Sequence, residues 1–95
     1  MNYLEELDFT KDEIEEVYDS VPEKLLKLLA SQKKLVSENI LFLKDLGVTN
    51  YQDIFLKYYD IFLMDHSNFK EIFNKYETED LVSKLNKNIK IVEYL

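Results

Sequence analysis

The chain has 95 residues, 46% of them hydrophobic and 14% aromatic, and a formal net charge of −7. That composition excludes a disordered tail, which pairs low hydrophobicity with few aromatics, and one Gly and one Pro leave little material for hairpin turns. The lack of cysteine excludes disulfide scaffolds, thiolate catalysis and thiolate metal sites, and the lack of arginine removes the side chain best suited to bidentate phosphate and guanine contacts.

The charge is unevenly placed. Residues 1 to 23 hold nine acids (Glu5, Glu6, Asp8, Asp12, Glu13, Glu15, Glu16, Asp19, Glu23) against Lys11 alone, whereas residues 24 to 95 hold eleven lysines against ten acids. The acidity therefore belongs to the first segment and, with the missing arginine, weighs against nucleic-acid binding. The start, Met1-Asn2-Tyr3-Leu4-Glu5-Glu6, lacks the basic residues and apolar run of a signal peptide, and no apolar stretch approaches the ~20 residues of a membrane helix. A soluble, cytoplasmic protein with no membrane partner is expected. The length fits one domain over residues 1–95, and abundant Leu, Lys, Glu and Ile favour an all-α chain.

In chain order, Tyr3, Leu4, Leu7 and Phe9 form a short apolar lead-in over residues 1–9. Thr10-Lys11-Asp12-Glu13 has capping-box spacing, which predicts a helix from Lys11. Its buried stripe is Ile14, Val17, Tyr18 and Val21, with Asp12, Glu15, Glu16 and Asp19 outside. Pro22 ends that helix and opens the next at its first position, where Leu25, Leu26, Leu28 and Leu29 supply the apolar side. The longest helix is predicted over Lys33 to Leu46, with Leu35, Val36, Asn39, Ile40, Leu43 and Leu46 on one face and Gly47 closing it. Thr49 and Asn50 are candidate caps for a helix burying Tyr51, Ile54, Phe55 and Tyr58, and Asp60 to Met64 reads as a bridging turn. Ser67 is the predicted cap of a helix burying Phe69, Ile72, Phe73 and Tyr76, Thr78 the cap of one burying Leu81, Val82 and Leu85, and Ile89 to Leu95 a docking tail. Tyr59, Phe42 and Phe55 compete with better-placed neighbours, so one or more is expected at the surface, where an exposed aromatic beside a groove marks a protein interface.

The elements repeat. One statement runs from Asp12-Glu13-Ile14 through Val21-Pro22 and Leu25-Leu26 to Leu46-Gly47-Val48, a second opens at Tyr51-Gln52-Asp53-Ile54, and a compressed third begins at Glu79-Asp80-Leu81. Pro22 followed by Leu25-Leu26, and Leu43-Lys44-Asp45-Leu46-Gly47-Val48 followed by Ile54, resemble the repeat of the mitochondrial transcription termination factor (mTERF) family. The second unit carries Tyr59-Asp60, and the third Lys87-Asn88, at the place of the Pro step. The resemblance spans Phe9 to Leu95 and implies a short right-angled helical-repeat stack of two units and a part, with about six to eight short helices. In that family the basic concave face of such a stack holds nucleic acid.

Catalytic chemistry finds little to work with. His66, the one histidine, sits beside Asp65 in a predicted loop, with Asp60 and Glu71 nearby, and reads as a solvated loop residue rather than a metal ligand. Ser67 beside it serves better as a cap than as a nucleophile, and Glu5/Glu6 and Glu15/Glu16 read as exposed helix surface rather than paired acids. No cofactor is expected. The function expected is a small non-catalytic protein-interaction or regulatory module whose acidic helix, through Asp12, Glu13, Glu16 and Asp19, meets a basic protein such as a nucleic-acid-binding one. The alternative is an mTERF-like nucleic-acid-binding module using Lys24, Lys27, Lys33 and Lys34, with Lys84, Lys87 and Lys90 as a looser second group. The apolar ending Val92-Glu93-Tyr94-Leu95 adds self-association as a third expectation.

Overall fold

A computed structural model describes all residues from Met1 to Leu95. The chain is all-α: α1 (Asn2–Glu6), α2 (Lys11–Ser20), α3 (Glu23–Ser31), α4 (Lys33–Leu46), α5 (Tyr51–Tyr58), the 3₁₀ turn η1 (Tyr59–Leu63), α6 (His66–Asn74), α7 (Thr78–Lys87) and a second 3₁₀ turn η2 (Ile89–Tyr94). None of the helices is long and apolar enough to cross a membrane.

Two helix ends are written in the sequence by unambiguous local chemistry. Glu13 N–H donates to Thr10 Oγ1 at 3.1 Å and Thr10 N–H donates to Glu13 Oε1 at 2.8 Å, so α2 starts at Lys11 as expected. Gly47 closes α4 in the left-handed region at φ 107°. Its N–H donates to Lys44 O and that of Val48 to Leu43 O, both at 3.1 Å, which returns buried Val48 to the core.

Other ends differ by a residue or two. Pro22 precedes α3 as an extended residue (ψ 145°) instead of forming its first helical position; its carbonyl accepts from Leu25 N–H and Leu26 N–H. Asp65, not Ser67, caps α6, accepting from Asn68 N–H at 3.4 Å, because the helix begins early enough to bring His66 against α4. Glu77, not Thr78, caps α7: its carboxylate accepts from Glu79 N–H and Asp80 N–H at 3.2 and 2.8 Å, and its charge suits the positive helix end. Neither Thr49 nor Asn50 uses its side chain to cap α5. That loop is instead clasped to the end of α7: Thr49 N–H donates to Asn86 Oδ1 at 2.9 Å, Asn86 Nδ2 to Gly47 O at 3.3 Å, and Asn50 Nδ2 to Leu85 O at 3.0 Å.

Nineteen of the twenty buried residues are apolar and form one cluster reaching from Tyr3 to Leu85. The central helix is α4, which packs against α1, α3, α5, η1 and α6. A run of aromatic rings crosses the core, from Phe9 to Phe55 (centroids 5.4 Å apart), Phe55 to Phe62 (5.1 Å), Phe62 to Phe69 (5.2 Å) and Phe69 to Phe73 (5.0 Å), with Phe42 against both Phe69 and Phe73. Such tilted and edge-to-face pairs add to the burial of the rings themselves. The expected surface aromatics are therefore the wrong ones: Phe55 is fully buried, and Phe42 and Tyr59 are half-buried. Tyr18, Tyr76 and Tyr94 are exposed instead, as is Leu28. Tyr18 lies at the edge of its stripe, where a small rotation of α2 toward Val17 and Val21 turns the ring out, whereas α6 ends at Asn74 and leaves Tyr76 in the bend beyond it, off the buried face of Phe69 and Phe73.

The lone buried polar residue is Asn39, whose Nδ2 donates to Phe62 O and Met64 O, each at 2.9 Å. Its Oδ1 lies 2.7 Å from His66 Nδ1, so the histidine is a half-buried member of α6 and not the solvated loop residue expected. Asp60, Asp65 and Glu71 do not gather around it into a metal-binding group.

Candidate protein-interaction site

The orientation of α2 is set by Val17, buried against the rest of the fold, with Val21 at the helix end and Ile14 half-buried; the helix packs on α1 and α5. Turning that stripe inward places Asp12, Glu15, Glu16 and Asp19 at the surface. Asp12 and Glu16, and likewise Glu15 and Asp19, are four residues apart, so each pair sits side by side along the helix. Glu13 differs from its neighbours, being half-buried and held by the Thr10 N–H, so its carboxylate has a structural task. Tyr18 adds a half-exposed ring to the same helix, its hydroxyl against the Met1 amino group.

The fold's ion pairs lie elsewhere. Lys27 meets Glu23 at 3.8 Å, Lys44 meets Asp8 at 2.8 Å, and Lys84 meets Asp80 at 3.0 Å; no cation lies within ion-pair distance of any α2 carboxylate. The Asp8 carboxylate, accepting from Lys44 Nζ, raises the pKa of that ammonium above its usual value.

The alternative residues are also at the surface. Lys24 and Lys27 lie on α3 and Lys33 and Lys34 in the first turn of α4, on either side of Gln32, and all four are exposed. Lys27 is partly engaged by Glu23, and Lys33 and Lys34 stand at the positive end of a helix.

One feature escaped the sequence reading. A cleft of about 470 Å³ opens where α5 packs against α2 and η2, and it is lined by Glu16, Asp53, Lys57, Lys87, Asn50 and Asn88, with Leu56 and Ile89 as its apolar members. No local signal could have pointed to it, because its residues come from three separate stretches of chain, at Glu16, from Asn50 to Lys57 and from Lys87 to Ile89. A second, smaller depression of about 210 Å³ lies between α7 and η2 beside Tyr76 and Tyr94.

No family model matches the chain, and neither curated proteins nor solved structures gave a significant similarity.

Proposed function

We propose that the protein is a small non-catalytic interaction or regulatory module of the cytoplasm, and that the outer face of α2 receives a basic protein partner. The observation that carries this reading is the set of outward carboxylates without an internal counter-ion, Asp12, Glu15, Glu16 and Asp19. Surface carboxylates already paired within a fold have little to offer a partner, whereas unpaired ones of a single sign speed encounter with a cationic surface and set its orientation. The local charge matters more than the total, because the excess of acids lies in residues 1 to 23.

The reading predicts binding that weakens steeply as salt rises, since exposed charges are screened over about 8 Å at physiological ionic strength. Reversing Asp12, Glu16 and Asp19 to lysine together should reduce affinity at low salt by at least about tenfold. Glu13 is left in place, because its loss would disturb the helix start. Recovery of partners from lysate at low salt, with and without nuclease, identifies the ligand for that measurement. Basic proteins retained after nuclease and lost by the triple variant support the reading; undiminished binding by the variant overturns it. Recovery that depends on intact nucleic acid, and on Lys24, Lys33 and Lys34, favours the mTERF-like alternative.

A further inference from the structure

The cleft between α2, α5 and η2 collects charges of both signs that do not neutralise one another. Glu16 and Asp53 bring carboxylates, Lys57 and Lys87 bring ammonium groups, and none of the four takes part in an ion pair. Asp53 and Lys57 are spaced for a helical i,i+4 pair, yet the Lys57 ammonium lies over the Tyr58 ring at 5.6 Å from its centroid. The same cleft is lined by Asn50, whose Oδ1 is buried and has no hydrogen-bond donor. The amide cannot relieve this by turning over, because Nδ2 donates to Leu85 O at 3.0 Å and a reversed amide would set two oxygens against each other.

We infer that the cleft is a binding site for an amphoteric small molecule of amino-acid type. The cationic, donor-rich end of the ligand sits between Glu16 and Asp53 and supplies the donor that Asn50 Oδ1 lacks, while its carboxylate is met by Lys57 and Lys87. The volume of about 470 Å³ falls within the range of small-molecule sites, and Leu56 and Ile89 offer apolar surface to an aliphatic stem. A purely anionic ligand would leave the two carboxylates opposed to it, and a purely cationic one the two lysines. Because Asn50 Oδ1 is buried in the free protein, a donor that reaches it requires a local rearrangement, which the Asn50 amide reports.

The site shares Glu16 with the face proposed for a macromolecular partner, so occupants of the two compete for that carboxylate. The probe is free L-arginine, titrated into the ¹⁵N-labelled full chain, with agmatine as the same cation lacking a carboxylate and acetate as the anion alone. Saturable shifts of the Asn50 side-chain amide and of the α5 backbone are expected, with a dissociation constant on the order of 1 mM. Agmatine and acetate should bind about tenfold more weakly, as should L-arginine to the Asp53→Asn and Lys87→Gln variants, since each change removes one charged partner. Both substituted residues are exposed, so the variants retain the fold. Linear, unsaturable shifts up to about 50 mM, far above that constant, would overturn the proposal. So would equal binding of arginine by the wild type and both variants.

Discussion

Asn39 joins three elements through one amide. With Nδ2 donating to two carbonyls of the η1 region, Oδ1 can only face His66, and the histidine must present a protonated Nδ1 to it. Nitrogen chemical shifts of the neutral ring should therefore report the Nδ1–H form; the Nε2–H pattern would contradict this arrangement. Asn39→Ala leaves two carbonyls and an imidazole N–H without partners around a fully buried position, and denaturant unfolding should register a loss of about 2–4 kcal/mol. Asn39→Asp should cost at least as much, because a carboxylate cannot donate; wild-type stability in either variant would mean that the network is dispensable. The tyrosines give a second residue-scale test. Burial pushes Tyr3 from 10.0 up to about 12, with its hydroxyl donating to Leu29 O at 2.6 Å, and donation to the Glu93 carboxylate pushes Tyr58 up to about 12. Both folded values lie above the unfolded one, so the neutral phenols stabilise the fold fully below pH 10 and that contribution disappears as pH rises through about 12. Ultraviolet titration should show the last phenolates forming near pH 12, and Tyr58→Phe should remove part of that late phase. An unchanged late phase in the variant would remove Glu93 as the cause.

At the scale of the element, α2 carries an internal conflict. Asp12 with Glu16 and Glu15 with Asp19 are like-charge i,i+4 neighbours, each expected to weaken the helix by about 0.2–0.5 kcal/mol. Glu16→Lys turns one repulsion into an acid-before-base attraction and should raise stability by about 0.3–1 kcal/mol while impairing partner binding. A destabilised Glu16→Lys chain would show that this carboxylate has a structural role. The same helix shows how far sequence reasoning reaches. Its start was legible because Thr10 and Glu13 satisfy each other locally, and the end of α4 because only Gly47 suits a positive φ there. The caps of α6 and α7 were not, since Asp65 and Ser67, or Glu77 and Thr78, are chemically adequate neighbours and tertiary packing decides between them. Periodicity locates the centre of a stripe better than its edges or its end, which is why it places Val17 inside but misses Tyr18, at a stripe edge, and Tyr76, beyond the last turn of α6. Of the acidic face, the exposure of Asp12, Glu16 and Asp19 was legible, whereas the mixed-charge cleft required the approach of α5 to η2, which no local pattern encodes.

For the whole molecule, the ordering of the aromatic run matters more than its length. Phe9 and Phe42 come from the first half of the chain, and Phe55, Phe62, Phe69 and Phe73 from the second, yet each of the first pair is wedged against rings of the other half. Cutting the chain between Thr49 and Asn50 should give two pieces that are unfolded apart and regain helicity when mixed, as followed by circular dichroism. A second piece that folds cooperatively alone would refute this. Rings that mesh in this way leave no seam along which the protein could be shortened. A chain stopped short inside the aromatic run would lose the rings against which its own rings pack, and a length of chain grafted elsewhere would leave them behind.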